Sequence, residues 1–422
     1  MTAMPQPQVA PAHSQRAPGS GPILQVTNLR KYFPVKSSGL IRRVIGQVQA
    51  VDGVSFQVDR GSALGLVGES GCGKSTTGRL ITRLYDPTSG SMMFDGQEIG
   101  HLSNKQMLPL RSEIQMIFQD PYSSLNPRHT VGTIVGTPLR VHKMVPEKQV
   151  LSRVRELLEF VGLNPEHYNR YPSEFSGGQR QRIGIARALA LQPKLLVADE
   201  PVSALDVSIQ AQVVNLLQDV QKEFGIAFLF IAHDLAVVRH FCPDVAVMYL
   251  GKIVEIADRE TLYKRPHHPY TQALLSAVPD VKQAAVGGRH ERIRLEGDVP
   301  SPINPPSGCR FRTRCWMAQD ICAKAEPPLL QIGPRHKVAC HFAGEFGAMP
   351  TSPITLSALG VDGRGTPIPG ATPSTEDLNR PGFADSWTDV ETHKRESAAM
   401  VGEGGMGAQM TDEQRGEGGT HR

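Results

Sequence analysis

The sequence predicts an α/β fold built on a largely parallel sheet, and three apolar runs of strand length support this prediction. They are "SALGLVG" (62–68), "PKLLVADE" (193–200) and "IAFLFIAHD" (226–234), and each indicates a buried strand. Segments with helical periodicity separate these runs, and one of them, "SIQAQVVNLLQDVQKEFG", ends in a typical glycine stop. Because ligands of such sheets bind beyond the carboxyl ends of the strands, we expect the functional residues just after these runs.

The regions on either side of this core have different patterns. Residues 23–59 alternate apolar and polar positions, which predicts antiparallel strands. The first 22 residues are rich in Pro, Gln, Ala and Ser, and residues 344–422 in Gly, Pro, Ser, Thr, Asp and Glu, so we expect both to be disordered. The sequence therefore predicts a disordered leader (1–22), a main domain (23–278), a small Cys-rich C-terminal domain (279–343) and a disordered tail (344–422).

The composition argues against two classes of protein. The 422 residues include 45 basic and 41 acidic ones, which gives a formal net charge of +4. This balance does not favour nucleic-acid binding, and we expect no nucleic-acid partner. No apolar run approaches the roughly 20 residues of a transmembrane helix, and the N-terminus lacks the apolar core of a signal peptide. We therefore expect a soluble, cytoplasmic chain whose membrane spans, if it acts at a membrane, belong to another subunit.

A glycine-rich loop follows the first buried run. The stretch "GESGCGKST" fits the pattern G-x-x-x-x-G-K-[ST] between a strand and a helix, which is the context that this motif requires. Its glycines let backbone N–H groups approach phosphate oxygens. We expect Lys74 to reach the β- and γ-phosphates, Ser75 to ligate Mg²⁺ and Thr76 to lie near the α-phosphate. The residues of this loop expected to bind the nucleotide are Gly68, Glu69, Ser70, Gly71, Cys72, Gly73, Lys74, Ser75 and Thr76.

Two acidic residues end the second buried run and supply the acids that such a loop requires. Asp199 is expected to hold Mg²⁺ through water, and Glu200 to act as the general base that polarises the attacking water. Loss of such a base typically lowers the rate by about 10²–10⁴. The second run therefore predicts hydrolysis of the bound nucleotide.

A second anion-binding helix start lies in the stretch "FSGGQ". Two consecutive glycines weaken the first turn of a helix, so their presence indicates that bare backbone is needed there. Ser176 offers a hydroxyl, and Gly177 and Gly178 offer unobstructed N–H groups at a positive helix terminus. Because the chain already has one phosphate loop, we expect this helix start to serve the nucleotide of another copy. We expect Arg180 and Arg182 to lie on a solvated or interface-facing side of the helix.

Together, "GESGCGKST" and "SGGQRQR" resemble the nucleotide-binding subunits of ABC transporters, over roughly residues 23–345. In that family two such domains dimerise head to tail, so that each ATP lies between the Walker A phosphate loop of one and the signature sequence of the other. The resemblance implies a P-loop ABC ATPase domain with a parallel-sheet core, an antiparallel β subdomain and an α-helical signature subdomain. It also implies ATP and Mg²⁺ as ligands and ATP hydrolysis as the activity.

The resemblance implies roles for further residues. Gln119 corresponds to a glutamine that reaches Mg²⁺ and the attacking water, His233 to a histidine that contacts the γ-phosphate, and Phe33, or its neighbour Tyr32, to an aromatic that stacks on adenine. The implied catalytic residues are Glu200, His233, Gln119 and Lys74, and the implied Mg²⁺ contacts are Ser75, Gln119 and Asp199. The implied signature residues are Ser176, Gly177, Gly178 and Gln179, and the implied dimer loop is Ser203, Ala204, Leu205 and Asp206.

Four further stretches narrow the resemblance to the ATPase subunits of bacterial dipeptide/oligopeptide importers. They are "FQDPYSSLNPR", "RPHHPYTQALLSAVP", "PSGCRFRTRC" and "KVACH", and the first is more similar to the second, F-type ATPase of the pair. The resemblance implies a heterodimer with a homologous ATPase, two transmembrane permease subunits and an extracytoplasmic peptide-binding protein. It places the chain at the cytoplasmic face of the inner membrane, as a peripheral subunit.

Two alternative functions remain open at this point. The same group includes nickel and glutathione importers, and the sequence does not separate these cargoes from peptides. A non-transport ABC ATPase is less favoured, because repair members of the family insert a long coiled coil between the Walker motifs. Asp199 follows Lys74 by only 125 positions, which leaves no room for it. Ribosomal members carry two such domains in one chain, and this chain has one.

Four of the six cysteines lie in one C-terminal window, with the spacing C-x5-C-x6-C-x17-C. Four thiolates suit either tetrahedral Zn²⁺ or an iron–sulfur cluster. The resemblance to the importers implies a 4Fe–4S cluster, held by Cys309, Cys315, Cys322 and Cys340. Zinc, and reduced or disulfide-bonded thiols, are the alternatives. We expect any metal here to stabilise a small domain that has little core of its own.

Overall fold

The computed structural model of the chain describes residues 21–37, 43–278 and 292–343. All of them belong to one unit, Met1–Pro353. The predictions of disorder for residues 1–20 and 344–422 fall outside the described residues, as do residues 279–291 at the start of the expected C-terminal domain.

The described residues form strands, α-helices and three short 3-10 helices. The strands are β1 (Leu24–Lys36), β2 (Val44–Val58), β3 (Ala63–Val67), β4 (Ser89–Phe94), β5 (Gln97–Glu98), β6 (Ile114–Ile117), β7 (Leu195–Asp199), β8 (Ala227–Ala232), β9 (Asp244–Tyr249), β10 (Lys252–Asp258), β11 (Leu330–Gly333) and β12 (His336–Val338). The α-helices are α1 (Lys74–Ile81), α2 (Asn104–Met107), α3 (Pro121–Ser124), α4 (Val131–Val141), α5 (Glu147–Phe160), α6 (Gly177–Leu189), α7 (Val207–Phe224), α8 (Leu235–Phe241), α9 (Arg259–Lys264), α10 (Pro269–Ser276) and α11 (Asp320–Lys324). The 3-10 helices are Leu110–Ser112, Pro165–Asn169 and Pro172–Glu174.

The main sheet has eight strands in the order β11-β12-β10-β9-β3-β8-β7-β6. From β9 to β6 the neighbouring strands run parallel, as the sequence predicts for the core. The three apolar runs form β3, β7 and β8, which confirms their assignment as buried strands. The carboxyl ends of β3, β8, β7 and β6 therefore meet at one edge of the sheet.

The main sheet is covered on both faces, which explains why its central strands are apolar throughout. Every residue of β3, β7 and β8 is buried. Along β8, Phe228 and Phe230 join one hydrophobic core, whereas Leu229 and Ile231 join a second core. The first core contains residues of α4 to α8, and the second contains residues of α1 and of the antiparallel strands. The period of two along each strand thus divides its side chains between the two layers.

A second, four-stranded sheet has the order β2-β1-β4-β5 and is antiparallel. It confirms the antiparallel strands predicted from the alternation in residues 23–59. The helices α4, α5 and α6 pack against one another and form a helical region between β6 and β7. The predicted glycine stop is also confirmed, because α7 ends at Gly225 in the left-handed conformation.

The C-terminal region extends the main sheet. Strand β12 pairs with β10, and β11 pairs with β12, both antiparallel. The ring of Phe311 packs against Tyr249 and Tyr270, with centroids 5.2 and 5.3 Å away. These contacts attach the region to β9 and α10. Among the described residues, no helix has the length and apolar character needed to cross a membrane.

Candidate functional site

The phosphate loop leaves β3 and enters α1 with a backbone that only glycine adopts easily. Gly68, Gly71 and Gly73 have φ angles of 156°, 79° and 108°. A Cβ on Gly73 would lie 2.1 Å from the carbonyl oxygen of Ala50, and one on Gly68 would lie 2.1 Å from that of Met248. The surrounding chain therefore fixes the path of this loop, and side chains at these positions would displace it.

Lys74 lies inside the loop and is only 3% exposed. Its Nζ donates to the carbonyl oxygens of Gly68 and Glu69, at 2.8 and 3.0 Å. It also lies 3.9 Å from Oε1 of Glu200. An ammonium group has three donors, so one remains to bind a phosphate oxygen after the two backbone bonds are made. Of the other loop residues, Ser70 and Gly71 are exposed, Cys72 is buried and Thr76 lies in the first turn of α1.

Ser75 and Asp199 form the candidate magnesium pair. The Ser75 hydroxyl donates to Oδ1 of Asp199 at 2.8 Å, which joins the start of α1 to the end of β7. Asp199 is 1% exposed. Burial raises the pKa of its carboxyl group, and the hydrogen bond from Ser75 partly opposes this effect. A buried carboxylate beside a hydroxyl is an oxygen donor set that suits Mg²⁺.

The carboxylate of Glu200, which follows β7, lies near side chains from the ends of two neighbouring strands, β6 and β8. Nε2 of Gln119, which lies two residues after β6, donates to Oε2 of Glu200 at 2.8 Å. Nδ1 of His233, directly after β8, lies 3.6 Å from the same oxygen. Glu200 has a φ angle of 44°, which is uncommon for a residue with a side chain. Its backbone is held by a hydrogen bond from its N–H to the carbonyl of Ile231, at 2.9 Å.

The two aromatic candidates for adenine stacking differ in their surroundings. The hydroxyl of Tyr32 donates to Oδ1 of Asp52 at 2.5 Å, and the pKa of Tyr32 is raised to about 12 by burial and by this carboxylate. The ring of Phe33 packs edge-on against Tyr85, with centroids 5.5 Å apart, and lies under the ammonium of Lys31. The Tyr32 hydroxyl is thus hydrogen-bonded to the protein, whereas Phe33 is positioned by contacts of its ring.

The helix start at α6 is present, and its serine also caps its own helix. The Ser176 hydroxyl accepts from the N–H of Gln179 at 3.3 Å, and the N–H of Ser176 donates to the side chain of Gln179 at 3.0 Å. This is a capping box. A Cβ on Gly178 would lie 2.5 Å from the Cγ2 atom of Ile209 in α7. Gly178 is therefore required for the close approach of two helices, a reason that the sequence alone did not suggest.

The signature and dimer-loop residues lie at or near the surface of the single chain. Ser176 is exposed, and Gly177, Gly178 and Gln179 are partly exposed. In the loop at 203–206, Ala204 and Asp206 are exposed, and Ser203 and Leu205 partly so. The next residue, Val207, is 82% exposed. This apolar side chain and the open end of α6 are both accessible to a partner.

The arrangement suits a nucleoside triphosphate with Mg²⁺. The fixed glycine loop, the buried lysine and the N-terminus of α1 provide donors for phosphate oxygens. On the adjacent strand ends, carboxylate and amide groups converge to bind a cation and to orient water. Lys74, Asp199, Glu200, Gln119 and His233 thus come together at the predicted edge of the main sheet.

Two family models match the chain. The ABC transporter model matches residues 51–203, and the model for the C-terminal region of oligopeptide/dipeptide transporters matches residues 254–322. The oligopeptide transport ATP-binding protein AppF of Bacillus subtilis is 54% identical over 320 residues, which cover 76% of this chain and 97% of AppF. The chain belongs to the ATP-binding proteins of ABC transporters. This ABC protein is therefore an ATPase, and its family implies ATP and Mg²⁺ as ligands.

Other known proteins agree with this assignment. The probable peptide ABC transporter ATP-binding protein y4tS of Sinorhizobium fredii is 50% identical over 342 residues, 81% of this chain and 95% of that protein. A dimeric ATP-binding cassette bound to ADP and Pi superposes with a TM-score of 0.50 and 27% identity, over 56% of this chain and 98% of that one. The cbiO1 protein of Clostridium perfringens, part of the cbiONQ ABC transporter complex, gives a TM-score of 0.50 and 29% identity, over 57% and 90%.

The expectation of a 4Fe–4S cluster in this ABC protein is wrong. The four thiols of Cys309, Cys315, Cys322 and Cys340 line a cavity of about 10 Å³. That volume is about the room that one water molecule needs. Among the described residues, no group of three or more His, Cys, Asp or Glu side chains is arranged to hold a metal ion, so the zinc alternative has no support either.

The four cysteines lie in a largely buried environment. Burial raises the pKa of Cys315 to about 12 and that of Cys340 to about 11. All six cysteines of the protein are free. The matching family models are those of an ABC ATPase and of a transporter C-terminal region. In the structure the four cysteines are free thiols that lie beside Phe311 and Met317.

One residue lies elsewhere than the sequence predicts, and two residues that contact the phosphate loop were not predicted. Arg180 is 8% exposed rather than solvated: its Nε donates to the carbonyl of Pro172 at 2.7 Å, and its guanidinium lies 3.9 Å from the ring centre of Tyr122. The missed residues are Tyr270 and Arg314, which both contact Glu69 of the phosphate loop. No local pattern marks these contacts, because the partners lie 201 and 245 residues apart.

Proposed function

We propose that this ATPase powers the import of dipeptides or oligopeptides across the bacterial inner membrane. Its complex would contain two transmembrane permease subunits, an extracytoplasmic peptide-binding protein and a second, homologous ATPase. The chain would act as a peripheral subunit at the cytoplasmic face of the membrane. The match of residues 254–322 to the C-terminal region of oligopeptide/dipeptide transporters supports the peptide cargo, as do relatives named for peptide transport.

The hydrolysis of ATP in this proposal is supported by one observation, the convergence of side chains around Glu200 beside a complete phosphate loop. We assign Glu200 as the general base, because Gln119 and His233 flank its carboxylate at 2.8 and 3.6 Å. Lys74 would grip the β- and γ-phosphates through its third donor. Phe33 would stack on adenine, since the hydroxyl of Tyr32 is already bonded to Asp52.

In this mechanism the chain's own groups direct water and stabilise charge. The Glu200 carboxylate accepts a proton from water as the water attacks the γ-phosphate. Gln119 holds the carboxylate in place, while Lys74 and His233 face the charge that spreads over the phosphoryl oxygens. Ser75, Asp199 and Gln119 would hold Mg²⁺, which supplies further positive charge to the phosphates when it is bound.

We propose that each nucleotide is shared between two ATPase chains. The exposed end of α6 at 176–179 would cap the triphosphate held by the partner, through the Ser176 hydroxyl and the free N–H groups of Gly177 and Gly178. The loop at 203–206 would cross the interface, and burial of the exposed Val207 would favour association. The domain boundaries 23–278 and 279–343 also stay a proposal, with the second region attached to the first through β12.

A reconstitution experiment tests the peptide assignment. The chain is purified with the proteins encoded beside it, and ATP turnover is measured with dipeptides, longer peptides, glutathione and Ni²⁺, each with its binding protein. Peptides are expected to raise turnover several-fold, whereas glutathione and Ni²⁺ leave it at the basal rate. Stimulation by glutathione or Ni²⁺ alone would contradict the peptide assignment.

A further inference from the structure

One short segment of the C-terminal region contacts both the phosphate loop and Asp52 in strand β2. Residues 309–315, "CRFRTRC", contain three arginines, and two of them, Arg310 and Arg314, contact different parts of the ATPase core. Arg310 pairs with Asp52, the residue that also binds the hydroxyl of Tyr32. Arg314 pairs with Glu69, inside the phosphate loop. Phe311 lies between them in sequence and anchors the segment on Tyr249 and Tyr270.

The contact of Arg314 with Glu69 is bidentate and largely buried. Nη1 of Arg314 donates to Oε2 of Glu69 at 2.8 Å, and Nη2 donates to Oε1 at 3.3 Å. The Arg314 side chain is 8% exposed, and that of Glu69 is 27% exposed. A paired guanidinium and carboxylate in this geometry bind in a fixed orientation, unlike a surface ion pair.

The backbone of Glu69 is held at two more points. Its N–H donates to the hydroxyl of Tyr270 at 2.8 Å, and its carbonyl oxygen accepts from Nζ of Lys74 at 3.0 Å. The side chain, the N–H and the carbonyl of one loop residue are therefore each fixed by a different partner. Two of these partners, Tyr270 and Arg314, lie in the part of the chain matched by the transporter C-terminal model.

The charge of Glu69 gives this arrangement its importance for nucleotide binding. A carboxylate in a loop that receives a triphosphate repels the ligand, and the repulsion grows with the ligand's negative charge. The guanidinium of Arg314 neutralises that carboxylate. It therefore removes an unfavourable interaction as well as holding the loop in shape.

We propose that Arg314 is a positioning residue for ATP: it holds Glu69 and cancels its charge, so that the C-terminal region sets the nucleotide affinity of the phosphate loop. The proposal concerns the ATPase site and does not depend on which cargo is transported.

Nucleotide affinity of the full-length chain tests the proposal with ligands of different charge. Dissociation constants are measured for ATP, ADP and adenosine in wild type and Arg314→Ala. We expect the constant to rise about tenfold for ATP and about threefold for ADP, and to stay unchanged for adenosine. The change for ATP should shrink as salt is added. Unchanged ATP affinity, or an equal loss for all three ligands, would overturn the proposal.

Three further variants separate positioning from general damage to the fold. Arg312→Ala is the matched control, because Arg312 bonds only with Ser307 among its side-chain hydrogen bonds in the described chain. It should bind ATP as wild type does. Arg314→Lys keeps the charge and should restore most of the affinity. When Glu69 is already replaced by glutamine, adding Arg314→Ala should change the ATP dissociation constant little further. If the double variant instead lost the full tenfold in ATP affinity relative to Glu69→Gln, the coupling between the two residues would be refuted.

Discussion

Replacing Glu200 by glutamine should stop ATP turnover while leaving ATP binding intact. The substitution keeps the size and shape of the side chain. The amide oxygen can still accept from Nε2 of Gln119, the bond that is 2.8 Å long in the wild type. What is lost is the ability to accept a proton from water, together with the negative charge near Lys74.

The two losses have different magnitudes and opposite consequences. Loss of a general base lowers the rate by about 10²–10⁴, which corresponds to about 3–5 kcal/mol in the barrier. The charge of Glu200 lies 3.9 Å from Nζ of Lys74. At an effective dielectric constant of about 20, that attraction amounts to about 4 kcal/mol, and it competes with the phosphates for the lysine. ATP affinity should therefore stay constant or increase.

The assay compares phosphate release and ATP binding in the assembled complex, with the hydrolytic site of the partner ATPase inactivated. Glu156→Gln is the matched control, since Glu156 is an exposed residue of α5 that pairs with Arg153. The control should hydrolyse ATP as wild type does. Hydrolysis at the wild-type rate by Glu200→Gln would refute the assignment of the base, and loss of ATP binding would refute the charge argument.

Three more predictions follow from single contacts. Ser75→Ala removes the donor to Asp199 and a proposed Mg²⁺ ligand, so the Mg²⁺ concentration for half-maximal turnover should rise about tenfold; no change would contradict the pairing. Gly178→Ala places a Cβ 2.5 Å from Ile209 and should lower the free energy of unfolding by about 1 kcal/mol. Gly177→Ala, whose Cβ would make an ordinary 3.6 Å contact, should leave the free energy of unfolding unchanged. Equal melting temperatures for the two variants would argue against the close approach of α6 and α7 at Gly178. His268 has its pKa lowered to about 4 by burial, so the unfolded chain binds more protons between pH 6.5 and 4. The free energy of unfolding should then fall by up to about 3 kcal/mol as the pH drops through this range, and His268→Asn should flatten this dependence in denaturant titrations.

The sequence predicts the central sheet well because the signals there are local and redundant. A strand buried on both faces has no polar position, so β3, β7 and β8 appear as continuous apolar runs. The phosphate loop lies within nine consecutive residues. The rule that parallel strands present ligands at their carboxyl ends then brings Gln119, Asp199, Glu200 and His233 to one edge.

Contacts between distant parts of the chain could not be predicted in this way. Arg314 and Glu69 are 245 residues apart, and neither sequence neighbourhood indicates the other. Arg180 was expected on a solvated or interface-facing side of its helix, but a carbonyl oxygen and the ring of Tyr122 accommodate it inside. The cysteine spacing indicated a possible ligand type, yet it contained no information on whether the thiols converge with enough room for a cluster.

The pairing of β12 with β10 has a practical consequence for anyone who shortens this protein. A chain ending at residue 278 would expose the backbone N–H and C=O groups of β10 at Glu255 and Ile256. It would also deprive the fully buried Glu255 carboxylate of its contact with His336, which is 2.7 Å away. An unpaired strand edge readily pairs with strands of other molecules. The shortened protein would therefore tend to aggregate rather than remain a soluble ATPase domain.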